Sequence, residues 1–181
     1  MIEHNFNEGK ISKCQICNSS KLINIIQLGN QPLANSLLEK KEKIKNMYPI
    51  GVVRCDDCTL IQIDYIANQS EVYHLEYPYL PGITKTVDEE QKEFSNFLVD
   101  KLSLNSSHLV VDFGSNDGSL LKHLKKRDIK VVGVEPTNIA KTANKNGIET
   151  YQNFFNEEVV DEIIKKHGKA KVITSTNVFA H

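Results

Sequence analysis

The chain has 181 residues, of which 40% are hydrophobic and 25% are charged, values typical of a globular protein with a packed core. Its formal net charge of −1 provides no general attraction to nucleic acid or to an anionic membrane. Its start lacks the basic and apolar segments of a signal peptide, and no apolar run approaches the roughly 20 residues of a membrane span. We therefore expect a cytoplasmic protein with neither nucleic acid nor membrane as partner.

All four cysteines belong to two Cys-x-x-Cys hooks, which supply Cys14, Cys17, Cys55 and Cys58. Two such turns provide the four thiolates of a tetrahedral zinc site, and a closed set of four leaves no position for a reacting water. The pattern predicts a structural Zn²⁺ site with these four ligands. The alternatives are a thioredoxin-like redox pair, which requires a single Cys-x-x-Cys, and unrelated buried thiols.

Short elements lie between and after the hooks. The pattern predicts a strand over Leu22–Leu28, a short helix or turn over Leu33–Leu38, a charged surface segment over 39–45 and a hairpin strand over Leu60–Asp64. With the hooks, these elements predict a small zinc-binding module over residues 1–75.

A zinc ribbon that binds nucleic acid is a rival interpretation of this module. Asp56 and Asp57 stand inside the second hook, where carboxylates would repel a phosphate backbone. A non-catalytic interaction module therefore remains an alternative, with nucleic acid as its least favoured partner.

Residues 76–104 comprise a tyrosine-containing loop and a connecting helix. An amphipathic helix is predicted over Val87–Leu102, because apolar residues recur at helical spacing. The predicted buried face consists of Val87, Phe94, Phe97, Leu98 and Leu102.

From residue 105 to 181, predicted strands and helices alternate. The strands cover His108–Phe113, Lys130–Glu135, Ile148–Tyr151 and Lys171–Thr176. The helices cover Ser119–Arg127, Thr137–Asn146 with a stop at Gly147, and a segment from the cap Asn156 to Gly168 with Val159, Val160, Ile163 and Ile164 buried. This alternation predicts the first half of a doubly wound, Rossmann-like α/β domain with a parallel sheet.

In such a sheet, ligands bind beyond the carboxyl ends of the strands. The turn after the first strand, Gly114–Gly118, is not the Gly-x-Gly-x-x-Gly dinucleotide fingerprint. Asp112 and Asp117 would repel a pyrophosphate but suit a cationic amine, so S-adenosylmethionine fits better than NAD. Glu135, at the end of the second strand, is placed to accept hydrogen bonds from ribose hydroxyls.

Two alternatives to this cofactor assignment stay open. The three acidic residues could be ordinary strand-end and turn residues, since a single Gly-x-x-x-Gly is weak evidence. An oxidoreductase with a NAD-binding Rossmann half is the other possibility.

Several motifs together resemble the deoxysugar C-methyltransferase family, class I S-adenosylmethionine-dependent enzymes that begin with a zinc-binding module. They occur in family order along the whole chain: the two hooks, Leu28–Asn35, Tyr48-Pro49, Glu76–Tyr79, Val111–Leu120, Gly133–Pro136 and Thr176–His181. The resemblance implies a nucleotide-linked keto deoxysugar as substrate and C-methylation through an enolate.

The resemblance also implies roles for individual residues. The turn residues Gly114, Asn116, Asp117 and Gly118, together with Glu135, Asn177 and Tyr77, would hold the cofactor, while Tyr79 and His181 would serve catalysis. A histidine suits proton transfer because its unperturbed pKa lies near 6.5. Related enzymes tend to have serine after the tyrosines, whereas this chain has Leu80 and Pro81.

By the same resemblance, the chain corresponds to about the first half of a complete enzyme and ends before the family's downstream Glu-His segment. We therefore expect it to be inactive alone in sugar methylation. The segment Val172–Val178 carries no charge, so an unpaired edge at this strand should favour self-association.

Overall fold

The computed structural model describes residues 8–34, 37–38, 42–44, 46–73, 78 and 80–178. The chain divides into two compact units, Met1–Val72 and Tyr73–His181. Among the described residues, no helix is long and apolar enough to cross a membrane.

The first unit is built from short strands and one helical turn. Their bounds are β1 Gly9–Lys10, β2 Leu22–Gln31, β3 Tyr48–Cys55, β4 Ile61–Ile63, β5 Tyr65–Ile66 and α1 Gln69–Val72. Strands β2, β3 and β4 form an antiparallel sheet in that order, and β1 pairs with β5. The two predicted strands of this region are therefore confirmed, β2 being longer than expected.

The predicted helix or turn over Leu33–Leu38 is only partly visible. Ala34 lies in a turn, whereas residues 35 and 36 lie outside the described residues. Of the predicted charged surface segment, residues 42–44 are described and exposed, which agrees with the prediction.

The buried carboxylate of Asp64 joins three strands of the first unit. Its Oδ1 accepts the Gly51 backbone N–H at 2.6 Å, and Lys10 Nζ lies 3.5 Å from Oδ2. The Ile11 N–H donates to the Asp64 carbonyl oxygen at 2.8 Å. Burial opposes ionisation of this carboxyl, but the Gly51 N–H, Gln27 and Lys10 together lower its pKa. A charged aspartate thus serves as a structural link.

The apolar core of the first unit is small. Among its described residues, the buried hydrophobic side chains are Cys14, Tyr48, Val53 and Cys55. Along β2, by contrast, Ile23, Ile25, Ile26 and Leu28 are each 44–51% exposed. Two of the four core residues, Cys14 and Cys55, are the first cysteines of the two hooks, whereas the second cysteines, Cys17 and Cys58, are exposed.

The second unit has the predicted alternation of strands and helices. Its elements are a 3₁₀ turn at Pro81–Ile83, then α2 Lys85–Leu102, β6 Leu109–Phe113, α3 Ser119–Lys125, β7 Lys130–Val134, α4 Ile139–Lys145, β8 Thr150–Tyr151, α5 Glu157–His167 and β9 Val172–Thr174. The strands form one parallel sheet in the order β8-β7-β6-β9. The direction of winding reverses between β6 and β9, which confirms the Rossmann-like half and places its switch point there.

Alternate residues of β6 belong to two different hydrophobic clusters. Val110 packs in a cluster with residues of α2, α3 and α4, including Leu98, Leu121 and Ala143. Val111 belongs to a second cluster with Val159 and Ile163 of α5. Because successive side chains of a strand point to opposite faces, the sheet is covered by helices on both sides, which explains the apolar run in β6.

The buried faces of helices α2 and α5 include fewer residues than predicted. Phe97 is 58% exposed and Leu102 is 43% exposed, so their placement on the buried face of α2 was wrong; Ser95 and Val99 are buried instead. In α5, Ile164 is 42% exposed and Val160 is half-buried. Each helix contacts the sheet along one line only, and residues beside that line reach solvent.

The predicted helix boundaries of α5 are confirmed. Asn156 caps the helix by accepting the Val159 N–H at 3.0 Å. Gly168 follows the last turn with φ +83°, a conformation that glycine adopts without steric cost. Among the described residues, β9 pairs with β6 alone and forms the end of the sheet.

Candidate metal centre and cofactor site

The four cysteine sulfur atoms converge in the first unit. Cys14 Sγ lies 3.6 Å from Cys58 Sγ, and Cys17 Sγ lies 3.5 Å from Cys55 Sγ. All four ligand atoms lie within 4.8 Å of one another. Four Zn–S bonds of about 2.3 Å in a tetrahedron separate the sulfurs by about 3.8 Å. The donor set and its spacing therefore fit a structural zinc ion.

The two hooks share one backbone conformation. In each, the N–H of the first cysteine donates at 2.8 Å to a carbonyl five residues on, that of Ser19 or Leu60. The residue after each second cysteine, Asn18 or Thr59, has a positive φ of 63° or 65°. Its N–H returns to the first cysteine carbonyl at 3.0 Å. This turn places both thiols on one side, which a tetrahedral site requires.

Backbone N–H groups favour the thiolate form of the first cysteine in each hook. Burial raises the pKa of Cys14, but the N–H groups of Cys17 and Ile16 outweigh this effect and lower it to about 6. The N–H of Cys58 likewise lowers the pKa of Cys55. Although the Ser19 N–H acts to lower it, the neighbouring sulfur atoms raise the pKa of Cys17 to about 12. A cation among the sulfurs would relieve this mutual repulsion.

Polar contacts tie the second hook to the first. Asp57 accepts hydrogen bonds from Ser19 Oγ at 2.6 Å and from Lys21 Nζ at 2.8 Å. The Gln15 N–H donates to Gln62 Oε1 at 3.1 Å. One of the two acidic residues that disfavoured a nucleic-acid ribbon is therefore engaged within the protein.

The candidate cofactor turn follows β6 at the carboxyl edge of the parallel sheet. Gly114 and Gly118 have φ values of +66° and +75°, in the region that L-residues other than glycine enter with strain. A Cβ on Gly114 would overlap the side chain of Val178, and one on Gly118 would lie 3.0 Å from Ile148. Both glycines are therefore required by conformation and by space.

Glu135 organises the backbone of this turn. It follows β7, is buried, and accepts the Asn116 N–H at 3.0 Å on Oε2 and the Thr137 N–H at 2.9 Å on Oε1. A carboxylate offers about four lone-pair sites, so each oxygen retains capacity for a further donor. The side chain can hold the turn and a ligand hydroxyl together.

Asp112 lies on β6 beside β9. The Thr174 hydroxyl donates to its Oδ1 at 2.8 Å. Burial raises the pKa of Asp112 to about 7, the Thr174 hydrogen bond opposes the rise, and the negative charge of Glu135 adds to it. Such a shift marks a carboxyl group that a nearby cation would ionise.

Asp117 contacts two other parts of the second unit. Its Oδ1 accepts the Ser119 N–H at 3.2 Å and the Ser119 hydroxyl at 2.7 Å, at the start of α3. Its Oδ2 accepts the Gly82 N–H at 3.1 Å. The sequence pattern did not indicate Gly82 and Thr174, because their partners Asp117 and Asp112 lie 35 and 62 positions away. It also did not indicate Thr137, whose N–H donates to Glu135 two residues earlier.

Of the other predicted site residues, Asn177 lies after β9 with φ 55°, next to Val178, whose side chain packs against Gly114. Tyr77, Tyr79 and His181 lie outside the described residues, and their roles stay predictions. The structure therefore brings together Asp112, the 114–118 turn, Glu135 and Asn177 at one edge of the sheet.

Comparison with known proteins agrees with this division of the chain. Residues 14–73 match a family described as a zinc binding domain, and residues 85–181 match a family described as a methyltransferase domain. C-methyltransferase NovU of Streptomyces niveus is 30% identical over 174 residues, which cover 94% of this chain and 41% of NovU. The chain thus spans about two fifths of the length of this curated relative. Because the methyltransferase match covers more than half of the sequence, the chain belongs to the methyltransferase domain family.

Proposed function

We propose that the chain binds S-adenosylmethionine at the 114–118 turn and contributes this site to an enzyme that methylates a carbon of a nucleotide-linked keto deoxysugar. The observation that carries the proposal is the convergence of the buried carboxyl groups of Asp112 and Glu135 beside the 114–118 turn at the carboxyl edge of the sheet. The similarity to a protein named as a C-methyltransferase supports transfer to carbon.

The electrostatics of this edge favour a cationic cofactor. Asp112 is buried, and Glu135 is buried with both carboxylate oxygens accepting backbone N–H groups. A pyrophosphate would add negative charge beside these groups, whereas an ammonium or sulfonium would compensate them. When bound, S-adenosylmethionine supplies a methyl group on a cationic sulfur.

Glu135 is the proposed partner of the ribose. Its two oxygens already fix the N–H groups of Asn116 and Thr137, so the carboxylate is held rigidly before any ligand arrives. Preorganised acceptors bind more tightly because little side-chain freedom is lost on association. Gly114, Asn116 and Gly118 would hold the methionine end, with Asn177 beside them.

The substrate side of the proposal rests on residues outside the described part of the chain. Tyr77 would contact the cofactor, Tyr79 would contact the sugar, and His181 would exchange a proton with the substrate carbon beside its keto group. Loss of that proton leaves an enolate whose carbon can accept a methyl group. The four cysteines would hold a structural zinc without a part in the chemistry.

Calorimetric titration of the purified chain with S-adenosylmethionine tests the cofactor proposal. We expect the wild-type chain to bind S-adenosylmethionine. The Glu135→Gln variant should bind it at least about tenfold more weakly, because charge-assisted hydrogen bonds contribute about 1.5–3 kcal/mol each. Glu162→Gln removes an equal charge from an exposed position on α5 and serves as the control.

NAD is the discriminating ligand in the same experiment. Saturable NAD binding with no response to S-adenosylmethionine would favour the oxidoreductase alternative. Binding of neither ligand by a folded, zinc-loaded chain would favour a non-catalytic module. Loss of affinity in both glutamate variants alike would remove Glu135 from the proposed site.

We further propose that this chain alone does not methylate the sugar, since it spans about two fifths of its curated relative. The assay combines the chain, radiolabelled S-adenosylmethionine and a keto deoxysugar nucleotide. Transfer of label to the sugar would contradict this part of the proposal without affecting the cofactor assignment.

A further inference from the structure

The contact between Asp117 and Gly82 joins the candidate cofactor turn to the segment before α2. The two residues are separated by 35 positions, and the Gly82 N–H donates to Asp117 Oδ2 at 3.1 Å. Gly82 belongs to the 3₁₀ turn Pro81–Ile83, which lies immediately before Thr84, the residue that precedes α2. The glycine turn and this 3₁₀ turn are therefore neighbours in space.

Close approach explains the absence of a side chain at Gly82. Its φ is not among the positive values of the glycines in the described chain, so backbone conformation does not demand glycine there. A Cβ at this position would overlap Asp117 Oδ2 and would lie 3.4 Å from the Ser119 Cβ. Space is thus the structural reason for a glycine at this position.

Both carboxylate oxygens of Asp117 are already engaged within the protein. Oδ1 accepts the backbone and hydroxyl donors of Ser119, while Oδ2 accepts the Gly82 N–H. Asn116 Oδ1 in turn accepts the Asp117 N–H at 2.8 Å. The carboxylate is consequently oriented toward the start of α3 and the 3₁₀ turn.

We propose that Asp117 is a positioning residue, which acts on the cofactor site by holding the Pro81–Ile83 turn against the 114–118 turn through the N–H of Gly82. This inference rests on the proposed function for the identity of the cofactor. It changes the role of Asp117 from a residue that contacts the cofactor to one that positions the wall of the site. The Pro81–Ile83 turn then forms part of the wall of the cofactor site. Asp117 does not pair directly with the cofactor's ammonium.

Breaking this link should leave the second unit folded. His123 Nε2 lies 2.8 Å from Asp88 Oδ1, and Arg127 Nη1 donates to Asn96 Oδ1 at 2.7 Å. These contacts join α2 to α3 and to the residues after it. Leu98 and Val99 of α2 are also buried in the core, so the helix keeps its place when the Gly82 contact is lost.

The test uses Asp117→Asn, Gly82→Ala and the double variant of the full chain. Asparagine can still accept from Ser119 on one oxygen but has no second carboxylate oxygen for Gly82. Each variant is titrated with S-adenosylmethionine and with 5′-methylthioadenosine, which lacks the amino-acid end. Asp128→Asn, at an exposed position outside the proposed site, is the control.

We expect each single variant to bind both ligands more weakly than the wild type, by a similar factor of about ten for each ligand. The double variant should bind no more weakly than either single variant, because both changes break one contact. The inference would be overturned if Asp117→Asn lost affinity for S-adenosylmethionine but not for 5′-methylthioadenosine while Gly82→Ala bound both ligands as the wild type does. That result would show that Asp117 pairs directly with the ammonium group. Unchanged binding in both single variants would overturn it as well.

The amide signal of Gly82 provides a readout that does not depend on any cofactor. In Asp117→Asn, its hydrogen exchange should accelerate and its proton resonance should shift, while Asp128→Asn should leave both unchanged. If the wild-type chain binds neither ligand, the proposed function fails, and the cofactor role of this link fails with it. The amide measurement then still decides whether Asp117 positions the turn, and an unperturbed Gly82 amide refutes that as well.

Discussion

Removal of metal from the cysteine centre should unfold the first unit and leave the second folded. Apart from the cysteines, the buried hydrophobic side chains of the first unit are Tyr48 and Val53 among its described residues. Burial of two such side chains contributes about 3–6 kcal/mol. Binding of a structural zinc contributes about 10–16 kcal/mol at pH 7 in zinc-finger peptides. The metal is therefore the larger contribution to the stability of this unit.

The backbone of the hooks supports the same expectation. Asn18 and Thr59 adopt left-handed conformations next to the ligands, which costs about 1–2 kcal/mol for a β-branched residue such as Thr59 and less for asparagine. Without the metal, four sulfur atoms within 4.8 Å of one another have no cation to compensate thiolate charge. We expect the hooks to open once the ion is removed.

Two-dimensional NMR of the uniformly ¹⁵N-labelled chain, before and after treatment with a chelator, measures this outcome. The zinc-loaded chain should contain one zinc by elemental analysis and show dispersed signals from both units. After chelation, signals from residues 8–72 should collapse to random-coil positions, while those of the parallel sheet remain. Added zinc should restore them and added magnesium should not, because magnesium prefers oxygen ligands.

Full dispersion of the first unit in the metal-free, reduced chain would refute this reasoning. So would two disulfides in the purified protein, which would show that the cysteines serve redox or covalent pairing. A Cys58→Ser variant that binds zinc as tightly as the wild type would exclude Cys58 as a ligand.

Three further outcomes follow from backbone conformation and buried charge. Thr59→Asn should stabilise the zinc-loaded first unit by about 1 kcal/mol and Asn18→Thr should destabilise it similarly, measured by urea unfolding, because β-branched residues are strained at positive φ. Gly118→Ala should lower stability by about 2 kcal/mol in the same assay, because alanine is strained at φ +75° and its Cβ would lie 3.0 Å from Ile148. Burial raises the pKa of Asp112 from its usual 3.8 to about 7, so its contribution to stability is complete below pH 3.8 and is lost as pH rises through 7. Relative to that of the wild type, the unfolding free energy of Asp112→Asn should therefore rise by about 4 kcal/mol between pH 4 and pH 8. A difference between the two proteins that does not change with pH would contradict the raised pKa.

Local patterns in the sequence predicted much of the fold. The spacing of the cysteines predicted the metal centre, and the alternation of apolar strands with helices predicted the parallel sheet. The cap at Asn156 depends on a bond within one helical turn, so residue type and position were sufficient. Each of these signals is a local pattern, although the cysteine sulfur atoms that meet are 44 and 38 positions apart.

Features that depend on distant contacts were missed or misplaced. Phe97 has the spacing of a buried residue but is 58% exposed, because burial depends on which side of α2 meets the sheet. Asp64 was predicted as the last residue of a hairpin strand, but nothing in the pattern indicated that its carboxylate is buried and accepts the N–H of Gly51, 13 positions away. The partner of Gly82 is 35 residues away. No window of local sequence contains both members of these pairs.

The two candidate sites obtain their geometry from different sources. At the sheet edge, Glu135 and Asp117 fix the 114–118 turn through hydrogen bonds, so the site exists before a ligand binds. At the hooks, two thiols are hydrogen-bonded to two others, and the arrangement requires a cation to hold thiolates together. Chelation should therefore affect S-adenosylmethionine affinity less than Glu135→Gln does. If chelation weakened S-adenosylmethionine binding as much as Glu135→Gln does, the expectation that the cofactor site keeps its geometry without the metal would be refuted.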